Sequence, residues 1–340
     1  MAETAGRSKR PAVAPVPPAC NLPRSMESSL PVTRGDVAAA ASRIAGRVRR
    51  TPVLRLAGAD LGLPHGVALK LELLQVAGSF KPRGAFNRML SAPALPAAGV
   101  VAASGGNHGA AVACAARALG VQAEVFVPEI SGAAKRALIA GYGARLVVGG
   151  AAYDEARVAS EARAAETGAL LVHAYDQPEV LAGQGTAAAE FEEDAPDLTH
   201  LLVATGGGGL IGGAAAWHAG RGTAVVGVEP EGCPALFQAL RAGRPVPAPV
   251  GGLAADSLGA RQIGRLAFAV AREHVAAAVL VPDAAIRAAQ RLLWDAARVV
   301  AEPGGATALA ALLCGAWKAP AGARVGVLVC GGNCDPGSLG

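Results

Sequence analysis

One lysine of this chain lies in a setting that suits covalent chemistry. Lys81 belongs to the segment GSFKPRGA (residues 78–85), between an apolar strand-like run at residues 67–71 and a helix-like pattern. Pro82 suits the first position of that helix, where the N–H that proline lacks would have no partner. The helix dipole then discourages protonation of the Lys81 amine, and a free amine forms a Schiff base with an aldehyde. A lysine in a turn is more commonly a solvated charge, so the choice between a solvated and a reactive Lys81 depends on the other segments of the chain.

A run of glycines provides a second kind of chemistry. The segment GGGGLIGG (residues 206–213) follows a strand-like run and precedes a helical pattern; its first four residues are Gly206, Gly207, Gly208 and Gly209. Backbone without side chains can approach an anion closely, and N–H groups at a helix start bind phosphate. The glycines also fit GxGxxG, and with Glu229 about twenty residues later this is a dinucleotide-binding pattern. That NAD-dependent alternative leaves Lys81 without a role.

Two further segments carry polar groups at predicted strand ends. SGGNHG (residues 104–109) opens a helical pattern, and CGGN (residues 330–333) ends an apolar strand. The Asn107 amide can donate to a phenolate-like oxygen, and N–H groups that open a helix suit a carboxylate. The alternatives are a helix N-cap for Asn107, an ordinary helix histidine for His108 and a buried structural thiol for Cys330.

Apolar strand-like runs alternate with helix-length segments along most of the chain, which predicts an α/β fold with parallel sheets and helices on both faces. The predicted strands are residues 67–71, 100–103, 123–127, 145–148, 170–174, 201–204, 224–228, 275–281 and 324–330. Ligands of such sheets bind beyond the carboxyl ends of the strands, so one cleft can collect all four segments.

The four segments, in this order, resemble those of the fold-type II pyridoxal-phosphate (PLP) enzymes, and more narrowly the serine/threonine dehydratase (threonine ammonia-lyase) family. The resemblance covers residues 32–333. It implies a two-lobed fold like that of the tryptophan synthase β subunit. A small lobe at residues 76–183 would be inserted into a large cofactor-binding lobe formed by residues 28–75 and 184–340.

The resemblance also implies roles for individual residues, with pyridoxal 5′-phosphate as the cofactor. Lys81 would bind the cofactor covalently and act as the catalytic base. The other expected cofactor contacts are Phe80, Asn107, Gly206, Gly207, Gly208, Gly209 and Cys330. The loop of Ser104, Gly105 and Gly106, with neighbouring His108, would receive the substrate. Racemases of this family carry a serine at the position of Gly105, so we expect elimination without racemisation.

The reaction implied by the resemblance is β-elimination from L-threonine or L-serine, which yields a 2-oxo acid and ammonia. Such a lyase would serve amino-acid metabolism, in isoleucine biosynthesis or in threonine catabolism. A dehydratase of other specificity, a racemase or a β-replacement synthase of the same fold is the nearer alternative. A PLP-binding protein without turnover is the more distant one.

A cation site is not expected. Relatives that bind a cation use a glutamate, a backbone carbonyl and a second oxygen-bearing side chain. The matching residues here are Glu229, Cys233 and Ala235, and Ala235 has no ligand atom. Since Ca²⁺ and Mg²⁺ prefer several oxygen ligands, Glu229 and Cys233 are only weak candidates.

Composition excludes several classes of protein. Hydrophobic residues form 52% of the 340 residues, but the longest uncharged apolar run, residues 304–317, is too short to cross a bilayer. The net charge is +5, yet the basic residues are scattered and aromatic residues form only 4%, which argues against nucleic-acid binding. Residues 1–27, rich in proline and alanine, predict a disordered tail, and the acidic cluster at residues 189–194 predicts a solvated helix end. We expect a cytoplasmic homo-oligomer, a dimer or a tetramer.

Overall fold

The computed structural model describes residues 13–15 and 30–339, and two sheets with surrounding helices make up this part of the chain. The strands are β1 (Val13–Pro15), β2 (Val53–Leu56), β3 (Val67–Lys70), β4 (Val100–Ala103), β5 (Ala123–Val127), β6 (Arg145–Val148), β7 (Leu170–Leu171), β8 (His200–Ala204), β9 (Ala224–Pro230), β10 (Val275–Val281) and β11 (Val325–Leu328).

The helices connect and cover these strands. They are α1 (Arg34–Ile44), α2 (Gly58–Leu61), α3 (Lys81–Leu90), α4 (Asn107–Leu119), α5 (Ala133–Gly141), α6 (Tyr153–Thr167), α7 (Pro178–Asp194), α8 (Gly209–His218), α9 (Ala235–Ala242), α10 (Ala255–Leu258), α11 (Arg265–His274), α12 (Asp283–Ala297) and α13 (Pro303–Leu313).

The larger sheet has seven strands in the order β1-β10-β9-β8-β11-β3-β2. Its five central strands are parallel, and the two edge strands run antiparallel to their neighbours. In β11, which lies between β8 and β3, Val327 pairs with Leu202 on one side and with Leu69 on the other. All four residues of β3 and of β11 are buried, as expected for strands covered by helices on both faces. The predicted α/β class is confirmed.

The smaller sheet has four parallel strands in the order β6-β5-β4-β7. Its strands all lie within the range predicted for the small lobe, residues 76–183. The exact lobe boundaries stay predictions. Helix α4 packs against β4 and β5, and the apolar residues of these elements form separate core clusters from that of the seven-stranded sheet. The reactive segments therefore belong to elements of two sheets.

The structure corrects three details of the sequence analysis. Residues 13–15 pair with β10, with Val13 opposite Val279, so the predicted disorder is wrong for these three residues; the rest of the range 1–27 lies outside the described residues. Strand β2 was not predicted, because a four-residue edge strand carries little alternation. Helix α3 begins at Lys81, so Pro82 is the second helical residue.

A buried network of charges lies behind the start of α3. Arg83 donates two hydrogen bonds to Glu72, each of 2.7 Å, and another of 3.1 Å to Glu190. Lys70, whose side chain is fully buried, lies 2.7 Å from Glu190 and 2.8 Å from Asp194. The sequence analysis predicted a solvated helix end at residues 189–194, but Glu190 and Asp194 in this acidic end of α7 pair with buried cations. This end of α7 fixes the first turn of α3 to the seven-stranded sheet.

No helix among residues 13–15 and 30–339 is both long and apolar enough to cross a membrane.

Candidate active site

One pocket brings the predicted segments together at the carboxyl ends of the strands. Its wall contains these predicted residues: Phe80, Lys81, Asn107, Gly206, Gly207, Gly208, Gly209 and Cys330. The sequence analysis missed other residues of the same wall, among them Tyr175, Ser257, Leu258 and Glu302. Convergence of separate loops at one sheet edge is the usual arrangement of a ligand site in an α/β fold.

Lys81 reaches the pocket because its segment runs beside the strand end that carries Cys330. The Phe80 N–H donates to the Cys330 carbonyl at 3.1 Å, and Ser79 pairs with Gly331 in an antiparallel bridge. From there, Lys81 Nζ donates to the Ala174 carbonyl at 2.9 Å. These contacts of residues 79–81 place the Lys81 amine in the pocket.

The surroundings of Lys81 favour its free amine. Loss of water around the side chain lowers the Lys81 pKa to about 8, although Cys330 and the carboxyl of Glu302 act in the opposite direction. Desolvation disfavours the charged form of an amine, and this effect dominates here. At slightly basic pH a large fraction of Lys81 is therefore nucleophilic.

The glycine loop before α8 leaves no room for side chains. A Cβ at Gly206 would lie 2.8 Å from the Leu258 carbonyl oxygen, and one at Gly207 would lie 2.2 Å from the Tyr175 ring. Gly208 has a φ of +95°, in the left-handed region. The loop leads into the N-terminus of α8, where the first N–H groups have no partner within the helix. This arrangement is suited to bind a phosphate group.

The thiol of Cys330 lies at another side of the pocket. The residue is 3% exposed, and its Sγ lies 3.5 Å from the Gly304 carbonyl oxygen. Burial raises the pKa of this thiol far above its ordinary value. Cys330 is therefore a neutral, weak hydrogen-bonding group at physiological pH.

Asn107 is the first residue of α4, and Gly106 occupies the N-cap position. The Asn107 amide is held from both ends. Its Oδ1 accepts from Asn333 Nδ2 at 2.8 Å, and its Nδ2 donates to Glu302 Oε1 at 2.5 Å. Glu302 could have been noticed in the sequence as an acidic residue directly before a proline that starts a helix.

The loop expected to receive the substrate lies next to this pocket wall. The Gly106 N–H donates to Ser104 Oγ at 3.1 Å. A Cβ at Gly105 would lie 1.7 Å from Ser131 Oγ, so the Ser131 hydroxyl fills that space. The His108 ring is buried, with Nε2 2.9 Å from the Val172 carbonyl, and desolvation lowers its pKa to about 3. His108 is a neutral ring turned to the smaller sheet, and its role toward a substrate stays a prediction.

The weak cation candidates have other partners. Both carboxylate oxygens of Glu229 accept N–H groups at the start of α9, from Leu236 and Phe237, each at 2.7 Å. Cys233 Sγ lies 3.2 Å from the Gly251 carbonyl oxygen. The described residues contain no group of three or more histidine, cysteine or acidic side chains suited to hold a metal.

Comparison with known proteins places the chain in a family. Residues 44–331 match the profile of the family described as "Pyridoxal-phosphate dependent enzyme". The chain belongs to this family. It is 39% identical over 300 residues to an L-threonine ammonia-lyase of Geobacter sulfurreducens, covering 86% of this chain and 73% of the relative. It is 38% identical over 306 residues to a phenylserine dehydratase of Ralstonia pickettii, covering 88% and 92%.

A solved structure agrees with this membership. Maize serine racemase superposes with a TM-score of 0.84 at 33% identity, covering 91% of this chain and 95% of the racemase. The predicted family, two-lobed fold-type II architecture, cofactor and lyase class are thereby confirmed. The names of these relatives give three different substrates: threonine, phenylserine and serine.

The pocket fits pyridoxal phosphate in two respects. The glycine loop offers a cradle for phosphate from which side chains are excluded. The amine of Lys81 has a lowered pKa, as covalent binding of an aldehyde requires.

Proposed function

We propose that this PLP-dependent lyase converts L-threonine or L-serine into a 2-oxo acid and ammonia. The observation that carries the proposal is the presence of Lys81, the glycine loop and neutral Cys330 in one pocket. The 39% identical L-threonine ammonia-lyase supports the same reaction class. The overall change is balanced: the β-hydroxyl leaves as water, and water then replaces the amino group.

The glycine loop, the Ser104–Gly106 loop and Lys81 have separate roles in this reaction. The N–H groups of the glycine loop hold the phosphate, and Lys81 binds the cofactor covalently between turnovers. When bound, the cofactor acidifies the substrate Cα–H bond by withdrawing electrons. The N–H groups of the Ser104–Gly106 loop, at the start of α4, orient the substrate carboxylate. Freed Lys81, with its lowered pKa, then accepts the Cα proton.

Cys330 favours elimination over slower reactions. A carboxylate at this position would keep the cofactor ring nitrogen protonated, whereas a neutral thiol can offer only a weak hydrogen bond. Next to this thiol the bound cofactor would withdraw electrons only moderately, which would suit a substrate whose β-group leaves readily. The buried, neutral state of the thiol supports this assignment.

Racemisation of serine is the second candidate, because maize serine racemase has the same fold. A racemase needs a proton donor on the face opposite its catalytic lysine. At position 105 this chain has a glycine, which carries no such group. That observation favours elimination.

The activity test uses purified protein with added cofactor. L-threonine, L-serine, threo-3-phenylserine and threo-3-hydroxyaspartate are each incubated, and both ammonia and 2-oxo acid are measured. We expect equal amounts of the two products from threonine or serine and none with Lys81→Ala. Lys81→Arg is the matched control, since it keeps the charge but forms no Schiff base. If phenylserine or hydroxyaspartate were clearly preferred, the proposed substrate would be wrong.

A further inference from the structure

Glu302 places a buried carboxyl group at the pocket wall. The residue is 3% exposed and stands at the N-cap position of α13, directly before Pro303. Its own N–H donates to the Gly331 carbonyl at 3.1 Å. A Cβ at Gly331 would lie only 2.1 Å from Glu302 Oε1. The glycine after Cys330 therefore makes the space in which this carboxyl group lies.

A chain of hydrogen bonds gives the carboxyl group a defined partner. Asn333 Nδ2 donates to the Ala77 carbonyl and to Asn107 Oδ1, both at 2.8 Å. Because Asn333 presents donors, the Asn107 amide must turn its oxygen to Asn333 and its nitrogen to Glu302. The 2.5 Å bond to Glu302 Oε1 then occupies one of the two N–H groups of Asn107 Nδ2. The other N–H remains for a group inside the pocket.

We propose that Glu302 is a positioning residue of the active site, which acts through Asn107. Its carboxyl group fixes the plane of the Asn107 amide, so that the second N–H donates to an oxygen of the bound cofactor. Glu302 itself need not touch the cofactor or the substrate. The proposal rests on the cofactor of the family and not on the choice of hydroxy amino acid.

The charges around Glu302 support this assignment. Burial raises the Glu302 pKa to about 7, and Asp256 acts in the same direction, whereas Lys135, the Asn107 bond and Lys81 lower it. Cys330 faces the same region as a neutral thiol. Around neutral pH the carboxyl group therefore changes between an ionised and a neutral acceptor. A hydrogen bond to an ionised acceptor is shorter and stronger, so Asn107 is held more firmly above that pH.

The test measures the cofactor in the absence of substrate, by titration of apoprotein with pyridoxal phosphate and by visible absorbance across pH. We expect Glu302→Ala to weaken cofactor binding about tenfold, the effect of losing one bond to a charged group. Glu302→Gln should bind nearly as tightly as wild type, because its amide oxygen accepts the same bond, but its absorbance should lose any transition near neutral pH. Glu192→Gln is the control, since its partners Arg34 and Trp217 lie outside the pocket.

A double-mutant cycle shows whether the effect passes through Asn107. In an Asn107→Ala background, Glu302→Ala should cost no further affinity. An equal loss in both backgrounds, or unchanged affinity and spectrum in Glu302→Ala, would overturn the proposal. If Glu302→Ala does not fold, Glu302→Asp takes its place, because the shorter side chain draws the carboxyl group away from Asn107. Since no substrate is present, failure here leaves the proposed elimination untouched.

Discussion

The hydroxyl of Ser131 occupies the space that a side chain at position 105 would need. The ideal Cβ position at Gly105 lies 1.7 Å from Ser131 Oγ, 2.6 Å from Ser131 Cβ and 3.3 Å from Val127 Cγ1. Ser131 belongs to the turn between β5 and α5, and its N–H donates to the Pro128 carbonyl at 3.0 Å. Two loops of the smaller sheet thus fit together only because one of them carries a glycine.

This contact predicts the outcome of introducing a serine on that loop. Gly105→Ser alone should lower kcat/KM for elimination at least about tenfold, because the loop that receives the substrate carboxylate must shift, and small displacements of bound groups are costly. Gly105→Ser combined with Ser131→Gly should recover most of the loss. A single variant as active as wild type would show that the two loops are free to separate.

The same position predicts the stereochemical result for the wild-type enzyme. With Lys81 as the base and no side chain at Gly105, protons should exchange at Cα on one face only. Chiral chromatography during incubation with L-serine should detect pyruvate without appreciable D-serine. Formation of D-serine at a rate similar to that of pyruvate would contradict the proposed elimination.

Cofactor loading should depend on pH through Lys81. The free amine is the nucleophile, and burial lowers the Lys81 pKa to about 8. The rate at which apoprotein gains visible absorbance with pyridoxal phosphate should therefore rise with pH and reach half of its maximum near pH 8. Stopped-flow mixing between about pH 6 and about pH 10 measures this rate. An unperturbed lysine would give its half-maximal rate only at about pH 10.4. A rate that falls as the pH rises would contradict the assignment.

Cys330→Asp should change the balance of reactions. A carboxylate beside the ring nitrogen would keep that nitrogen protonated, so elimination should slow at least about tenfold while transamination by-products increase. The apoprotein should also lose stability, because the new carboxylate lies buried near Glu302. Cys330→Ser is the control and should retain elimination. Product analysis and thermal unfolding measure the two effects, and an unchanged rate and spectrum in Cys330→Asp would show that residue 330 does not face the ring.

Divalent cations should have little influence on this enzyme. Both oxygens of Glu229 already accept N–H groups of α9, and Ala235 provides no ligand atom. We expect activity to change less than about twofold between chelator-treated enzyme and enzyme with added Mg²⁺. Strong activation by Mg²⁺ that a chelator reverses would refute this expectation.

The sequence alone was sufficient to predict most of the strands and the convergence of the four segments in one cleft. The start of helix α4 was predicted within the SGGNHG segment, because that segment follows a strand and a glycine pair, and the helix begins there at Asn107. Strands β4, β5 and β6 were also predicted with their observed bounds, since each is a short apolar run between turns. Local patterns of this kind report local structure well.

Contacts between distant residues could not be predicted in this way. Glu302 and Asn107 are 195 positions apart, and Glu190 and Arg83 are 107 apart. An acidic residue on a helix gives no local sign of whether water or an arginine faces it. For the same reason the Ser131 hydroxyl beside Gly105 was missed, because only the packing of two loops creates that contact.

The buried charges behind α3 limit how this chain can change during evolution. Loss of Glu72 would take one of the partners of the buried Arg83 guanidinium, and loss of Lys70 would take one from both Glu190 and Asp194. Breaking a fully buried pair such as Arg83 and Glu72 costs about 3 to 5 kcal/mol. Exchange of a whole buried group for apolar residues of similar volume is often neutral or stabilising. If the charged residues were replaced by apolar ones through single substitutions, the intermediate proteins would therefore be less stable than either the original or the fully substituted protein. The segment that carries the reactive lysine is thus held in place by a set of residues that can be replaced together but not one at a time.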